Sequence, residues 1–205
     1  MKAALQWLVI AVLVSVYLLT LFAVLHPKVS SAYRSYYIER TTSDWNPEHY
    51  SSTPEEGIEF SREGLPGWVD STYGFSFRDP LGRWTDADVA TSPGLAFTRP
   101  FNGSLCLKFT ARPAASVTGK TFAVQMGNQT KTLQALPAHF AEYQVEFTEV
   151  RGADKLSFLL PEKLPRESEV HRQNGDTRRL GLELVTLRIL PGNCGTTGAQ
   201  PETRQ

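Results

Sequence analysis

The sequence has few of the residues that build metal centres, disulfide scaffolds or nucleic-acid interfaces. It contains only two cysteines and four histidines among 205 residues, and its 21 basic residues equal its 21 acidic residues. Two cysteines are too few for a disulfide scaffold, and neither they nor the histidines have the spacing of a metal site. A chain without net charge gives no reason to expect nucleic acid. We therefore predict no metal, no cofactor and no nucleic-acid partner.

Motifs of known catalytic sites are also missing. The sequence has no Gly-x-Ser-x-Gly, no His-Glu-x-x-His and no phosphate-binding glycine loop. Asp79, Asp86 and Asp88 cluster in sequence, and glycoside hydrolysis needs two facing carboxylates. Nothing marks one of the three as desolvated, so solvated turn carboxylates are the favoured interpretation. We predict that the protein is not an enzyme.

One long hydrophobic run stands at the N-terminus. Residues 3–25 carry no charge. In a helix with a rise of about 1.5 Å per residue, a run of this length is long enough to cross a hydrocarbon core of about 30 Å. The run is longer than the apolar region of a cleaved signal peptide. We predict an uncleaved transmembrane anchor over residues 1–27. The flanking positive charges, by a margin of about one charge, favour a cytoplasmic location for the rest of the chain.

The segment after the anchor, residues 28–56, is predicted to be a juxtamembrane helix followed by a linker. Tyr33 and Tyr37 recur at helical spacing, although an irregular stalk rich in aromatic residues is an equal alternative. Pro47 and Pro54 interrupt the polar part of the segment, which is typical of a linker.

From residue 57 the hydrophobic pattern has a period of two, which is typical of strands. The pattern predicts seven to nine short strands with almost no helical period. We therefore predict an all-β fold over residues 57–192, a jelly-roll-like β-sandwich, with a flexible tail over residues 193–205. The alternating segments are 73–77, 105–111, 122–126, 143–147, 156–160 and 178–190.

Two local features refine the prediction. Gly127 and Asn128 form a two-residue hairpin turn between the strand that ends at Met126 and a return strand over residues 129–133. In the last strand the alternation slips by one residue between Leu184 and Val185, which predicts a bulge or burial on both faces.

The stretch "YGFSFRDPLGRWTDAD", residues 73–88, combines aromatic rings, arginines and aspartates. One interpretation is a sugar platform, because sugars stack on aromatic rings and their hydroxyls bind planar donors and carboxylates. The other is a corner of the sandwich, in which "DPLG" makes the turn and Trp84 fills the end of the core. The corner is favoured, and it predicts that Trp84→Ala is mainly destabilising.

The same stretch, with "GIEFSREGLPGWV" over residues 57–69 and "GDTRRLGLELVTLRIL" near the end, resembles a known family. It is similar to the C-terminal β-sandwich domain of bacterial phosphoglycerol transferase I and of related envelope glycan-modifying membrane proteins. The sulfatase-like catalytic domain of that family is absent from the sequence, so its transferase activity does not carry over. The matching positions are Gly64, Pro66, Gly74, Ser76, Gly82, Arg83, Trp84, Arg179, Leu180 and Gly181.

The resemblance implies a protein of the bacterial inner membrane with its body in the periplasm, and it outweighs the charge margin. It implies an accessory module that contacts periplasmic glucan or another envelope polysaccharide, beside an envelope glycosyltransferase or phosphoglycerol transferase. The alternative is a protein-docking scaffold subunit of an envelope complex. The predicted glycan-binding residues are Trp84, Arg83, Asp79, Asp86 and Arg179.

The pairing of Cys106 and Cys194 stays open at this level. The two cysteines form one bridge in an oxidising compartment or remain as two buried thiols. Cys106 lies on the polar side of its predicted strand, and Cys194 directly follows the closing strand. If these strands are neighbours and the body is periplasmic, a disulfide bond becomes geometrically possible.

Overall fold

The computed structural model describes residues 2–25, 34, 38, 45, 49–134, 139–161, 164–170 and 175–195. Within these ranges the chain forms two α-helices and eleven strands. The elements are α1 (Lys2–Leu25), β1 (His49–Tyr50), β2 (Ile58–Glu59), β3 (Leu65–Pro66), β4 (Val69–Tyr73), β5 (Phe75–Arg78), β6 (Arg83–Asp86), β7 (Gly94–Pro113), β8 (Thr121–Met126), β9 (Gln129–Gln134), β10 (Ala141–Leu159), α2 (Glu167–Val170) and β11 (Leu180–Pro191).

Two long antiparallel strands, β7 and β10, run through both layers of a sandwich. Their pairing has register shifts between Phe147 and Lys155. Beside these shifts Gly103, Glu149 and Gly152 have positive φ angles, and such bulges let a strand bend from one layer into the next. The first layer, which we call layer 1, has the strand order β5-β6-β11-β7-β10. It contains the later half of β7 and the earlier half of β10. Layer 2 is β4-β7-β10-β8-β9 and uses the other halves.

Aromatic rings join the two layers across the core. Phe109 of layer 1 stacks on Tyr143 with ring centroids 5.0 Å apart. The same ring meets Phe158 of layer 2 edge-on at 5.4 Å and Phe122 at 6.4 Å. Phe109 is buried together with the aliphatic residues at the neighbouring odd-numbered positions of β7. The odd-numbered residues of this part of the strand therefore lie on the core face of layer 1.

The sequence-based prediction of an all-β sandwich is confirmed. The hairpin turn at Gly127 and Asn128 is also present, because Met126 pairs directly with Gln129. The slip in the last strand is a register shift between Leu184 and Thr186, so the predicted bulge is confirmed as well.

The division into strands differs from the prediction at two places. The expected strands over residues 143–147 and 156–160 are parts of one bent strand, β10, because the bulges bend the chain without ending its pairing. The expected strand over residues 73–77 is instead interrupted at Gly74, whose φ is +73°. A Cβ atom placed on this glycine would lie 2.7 Å from Pro93. The chain therefore passes the segment around Pro93 too closely for a side chain at this position.

Helix α1 covers the predicted anchor. Its segment Gln6–Leu25 is long and apolar enough to cross a membrane, and none of it is buried against the rest of the protein. Most of the predicted juxtamembrane helix and most of the predicted tail lie outside the described residues. Within the predicted linker, however, Trp45 is buried in the core and residues 49–50 form β1, so chain before residue 57 contributes to the sandwich.

A disulfide bond joins Cys106 of β7 to Cys194, 88 residues later in the sequence. Cys106 pairs with Leu190 near the end of β11, so the segment that follows β11 lies beside it. The condition for this disulfide bond, that the strand of Cys106 and the closing strand are neighbours, is therefore met.

Candidate functional site

Two consecutive residues of β6 lie on opposite faces of layer 1, as strand geometry requires. Arg83 pairs with Leu184, a core residue, and is fully buried. Its guanidinium carbon lies 4.2 Å from the centroid of the Trp45 ring. Trp84 therefore lies on the outer face of the layer, where it is half-buried.

On that outer face Trp84 belongs to a row of side chains that crosses three strands. Glu183 of β11 pairs with Trp84 on one side and with Arg112 of β7 on the other. The buried Glu183 carboxylate accepts a hydrogen bond from Arg112 Nε. The Arg112 guanidinium carbon lies 5.4 Å from the Trp84 ring centroid and 4.8 Å from that of Phe140. Arg112 is thus held at Nε and supported by two rings.

A short turn fixes the other side of the indole. The turn at residues 79–82 is closed by hydrogen bonds in both directions between the backbones of Asp79 and Gly82. A Cβ at Gly82 lies 2.0 Å from the carbonyl oxygen of Leu184, so only glycine lets this turn lie so close to β11. The turn places Asp79 Oδ2 2.6 Å from Trp84 Nε1, which donates a hydrogen bond to it.

The outer face at this end forms a cleft of about 650 Å³, which we call the Trp84 cleft. Residues 113–118 form one of its walls, and Glu167 of α2 with Asp176 and Arg178 contributes another. Arg178 is fixed there, because its Nε and Nη2 donate to the Asp176 carboxylate and its Nη1 donates to Ser76 Oγ at 3.1 Å. The charged and aromatic lining residues are Asp79, Trp84, Arg112, Glu167, Asp176 and Arg178.

The carboxylates of this region differ in their electrostatics. Burial raises the pKa of Glu183, and the hydrogen bond and charge of Arg112 oppose that rise. Hydrogen bonding from Arg178 lowers the pKa of Asp176, so this carboxylate stays ionised and is unsuited to donate a proton. Asp79 already accepts the indole N–H. An aromatic surface with fixed donors and acceptors favours binding over acid–base catalysis.

The cleft contains two of the five predicted glycan-binding residues, Trp84 and Asp79. Arg83 lies on the opposite face of the layer and does not line it. The corner interpretation of Trp84 needs a correction for the same reason. The buried pair of Arg83 and Trp45 occupies the core side of this corner, whereas the Trp84 ring faces the cleft.

The remaining two predicted residues have local partners. Asp86 is buried, and its Oδ1 accepts a hydrogen bond from the backbone N–H of Asp88 at 2.8 Å. Arg179 Nη1 donates to Asp88 Oδ1 at 2.7 Å, and Arg179 does not line the cleft. Both side chains support the chain around residues 86–88.

The sequence-based interpretation missed Arg112 and Glu183. A signal for Glu183 exists in "LGLELV", where one charged residue interrupts an otherwise apolar strand. Arg112 shows no such signal, because its partner is 71 residues away in sequence.

Solved structures that are similar to the chain include carbohydrate-binding modules. A variant of CBM29-2, a family 29 carbohydrate-binding module, is 11% identical, with 71% of this chain and 96% of that chain covered and a TM-score of 0.44. Another CBM29-2 variant, complexed with mannohexaose, is 12% identical, with 66% and 90% covered and a TM-score of 0.38. A ruminal GH26 endo-β-1,4-mannanase is 10% identical, with 73% and 28% covered and a TM-score of 0.37.

No curated protein matches the chain significantly in sequence. The resemblance to phosphoglycerol transferase I is not shown by these matches and stays a prediction. A family model matches residues 45–191, from the buried Trp45 to the last residue of β11. The chain belongs to the family described as Domain of unknown function (DUF7024).

Proposed function

We propose that this protein is a membrane-anchored, non-catalytic β-sandwich that binds periplasmic glucan or another envelope polysaccharide in the Trp84 cleft. The observation that carries the proposal is the fixed position of the Trp84 ring. Asp79 holds its N–H, and the Arg112 guanidinium lies beside the ring. A ring held in this way loses little conformational freedom when a ligand stacks on it.

The chemistry of the cleft suits a sugar. The apolar C–H face of a sugar stacks on an aromatic ring, and its hydroxyls bind planar cationic donors and carboxylate acceptors. Trp84 offers the ring, Arg112 the donors and Asp79 an acceptor at one edge of the cleft. The surface is concave and lined by charged groups, whereas a flat apolar patch is more typical of a protein-docking scaffold.

The anchor and the disulfide bond support a periplasmic location. Helix α1 supplies one segment long enough to cross the membrane. A disulfide bond such as Cys106–Cys194 is typical of proteins in an oxidising compartment. Together they favour a single-pass protein of the bacterial inner membrane whose sandwich lies on the periplasmic side. There it would act beside an envelope glycosyltransferase or a phosphoglycerol transferase that uses the same polysaccharide.

Calorimetry on the full chain in detergent micelles tests the binding function. Periplasmic glucan and other envelope polysaccharides are titrated into wild type, Trp84→Ala and the matched control Trp68→Ala. Trp68 is also half-buried but packs on Phe97 and Phe101 away from the cleft. We expect Trp84→Ala to lose at least tenfold in affinity and Trp68→Ala to keep wild-type affinity. Absence of saccharide binding by wild type, or unchanged binding by Trp84→Ala, contradicts the proposal.

Labelling of cysteine thiols tests the location. Protein extracted from bacterial membranes without reductant is denatured and treated with a mass-tagged maleimide, and a reduced sample serves as the control. We expect no tag on unreduced protein and a tag on both Cys106 and Cys194 after reduction. Full tagging of the unreduced sample contradicts a periplasmic sandwich.

A further inference from the structure

We propose that the ligand is an extended saccharide chain that runs from the Trp84 cleft, past Arg112, into a second polar cleft on the same face. This inference rests on the proposed function and specifies its substrate as a linear oligosaccharide segment. It excludes a single terminal sugar as the complete ligand.

The second cleft has a volume of about 220 Å³ and lies farther along the same strands. We call it the Thr110 cleft. Its centre is a pair of hydroxyl groups on adjacent strands, in which Thr186 Oγ1 donates to Thr110 Oγ1 at 3.2 Å. The lining residues are Lys108, Phe109, Thr110, Glu142, Thr186 and Arg188.

Strand alternation places both clefts on one face. Phe109 and Ala111 are core residues, so Lys108, Thr110 and Arg112 lie on the outer face of β7. Arg112 lines the Trp84 cleft, and Thr110 lines the other. The Cα atoms of Arg112 and Lys108 are separated by about 13 Å along the strand.

The whole path is longer than one sugar ring. Trp84 lies two strands from β7, because β11 pairs with β6 on one side and with β7 on the other. Two strand spacings amount to about 10 Å, so the diagonal from Trp84 to Lys108 is about 16 Å. A ligand that contacts both ends must contain several sugar units.

The Thr110 cleft offers hydrogen-bonding groups of both kinds. Thr110 pairs in register with Glu142 on β10 and with Thr186 on β11, and Lys108 pairs with Arg188. Neither Lys108 nor Arg188 forms an ion pair among the residues that the structure describes. Two like charges directly opposite on adjacent strands destabilise a sheet. The donors of half-buried Lys108 and exposed Arg188, with the Glu142 acceptor and the hydroxyl pair, suit the hydroxyl groups along a saccharide.

Arg112 is suited to connect the two clefts. Its Nε donates a hydrogen bond to Glu183, and its guanidinium lies near the rings of both Trp84 and Phe140. Its terminal amino groups extend beyond the bond to Glu183 and offer paired planar donors at the middle of the path.

The test measures how affinity depends on ligand length. Calorimetry on the full chain in micelles uses a ladder of gluco-oligosaccharides, from disaccharide to octasaccharide, prepared from periplasmic glucan. We expect affinity to rise at least tenfold between the short and the long members of the ladder. The double variant Thr110→Val with Thr186→Val keeps the branched side-chain shape and removes both hydroxyls. It is expected to lose most of the gain for long oligosaccharides and to bind short ones like wild type.

The matched control is the double variant Thr130→Val with Thr132→Val, which changes two exposed threonines of β9. It should reproduce the wild-type dependence on length. Binding that requires Trp84 but is equal for short and long oligosaccharides overturns the extended path and leaves the proposed function standing. Binding that depends on length but not on Thr110 and Thr186 also overturns it. Failure of every oligosaccharide and of intact glucan to bind overturns the proposed function itself.

Discussion

The two faces of layer 1 each carry an arginine beside a tryptophan, with opposite consequences. On the inner face Arg83 and Trp45 are both buried, and the guanidinium lies 4.2 Å from the ring centroid. On the outer face the corresponding distance between Arg112 and Trp84 is 5.4 Å, and the Arg112 side chain is 38% exposed. The same pair of residue types therefore fills the core on the inner face and lines an open cleft on the outer face.

The inner pair is embedded in other aromatic side chains. Trp45 lies 5.6 Å from Phe60 and 5.7 Å from Phe75 between ring centroids, and its Nε1 donates to the carbonyl oxygen of Gly64 at 2.8 Å. The outer pair has a cleft on its open side. Stability should therefore depend on the inner tryptophan and binding on the outer one.

The largest expected effect is that of Trp45→Ala. Removal of this buried ring leaves a cavity and should lower the free energy of unfolding by about 3–5 kcal/mol. Trp84→Ala, which opens no core cavity, should lower it by about 1 kcal/mol or less. Urea denaturation of both variants, followed by tryptophan fluorescence, measures the difference. Equal losses of stability would remove the distinction between the faces.

Only part of the difference between the two faces could be predicted from the sequence. Strand alternation places Arg83 and Trp84 on opposite faces of a short strand, but it does not say which face is buried. Both side chains have an apolar body and a polar tip, so composition does not decide the question. Trp84 was therefore expected to fill the corner, whereas the buried partner of Arg83 is Trp45, which was assigned to a linker.

The fold was predicted more successfully than the site. The period-two pattern, the turn at Gly127 and the slip after Leu184 are local signals, and all three are borne out. The row on the outer face depends on pairings between distant segments, such as Arg112 with Glu183, and no local pattern encodes them. The continuity of β10 through its bend was missed for the same reason.

An intermediate effect is expected from Glu183→Gln, which keeps the shape of the side chain and removes the charge that holds Arg112. Glycan affinity should fall several-fold at neutral pH, while the guanidinium loses its fixed position. Arg112→Lys is a useful companion, because lysine keeps the charge and lacks the planar donor group. Calorimetry at constant pH measures both. Wild-type affinity in both variants would show that Arg112 does not contact the ligand.

The same carboxylate predicts how binding depends on pH. Because burial raises the pKa of Glu183, acidification protonates it before an ordinary glutamate, and affinity should fall as its hold on Arg112 weakens.

The folded state binds this proton more tightly than the unfolded state does. The contribution of Glu183 to the free energy of unfolding therefore rises as pH falls through the raised pKa. Asp176, whose pKa is lowered, contributes stability that acidification removes. In Glu183→Gln the affinity should lose this dependence on pH.

The smallest effect is expected from Arg179→Ala. Arg179 was predicted from the sequence to bind glycan, but its guanidinium donates to Asp88. The two side chains are 42% and 29% exposed, so the ion pair should contribute about 1 kcal/mol or less to stability. Glycan affinity should equal that of wild type in calorimetry. A tenfold loss of affinity without a change in melting temperature would return Arg179 to the binding surface.

The bend in β7 and β10 has a consequence for how the sandwich opens. Each strand contributes one half to each layer, so the two layers are joined by continuous, paired strands. Partial unfolding that separates one layer from the other is therefore disfavoured, because it would expose the core face of both. Amide protons in the two layers should exchange with solvent through the same global opening, and the domain should behave as a single cooperative unit.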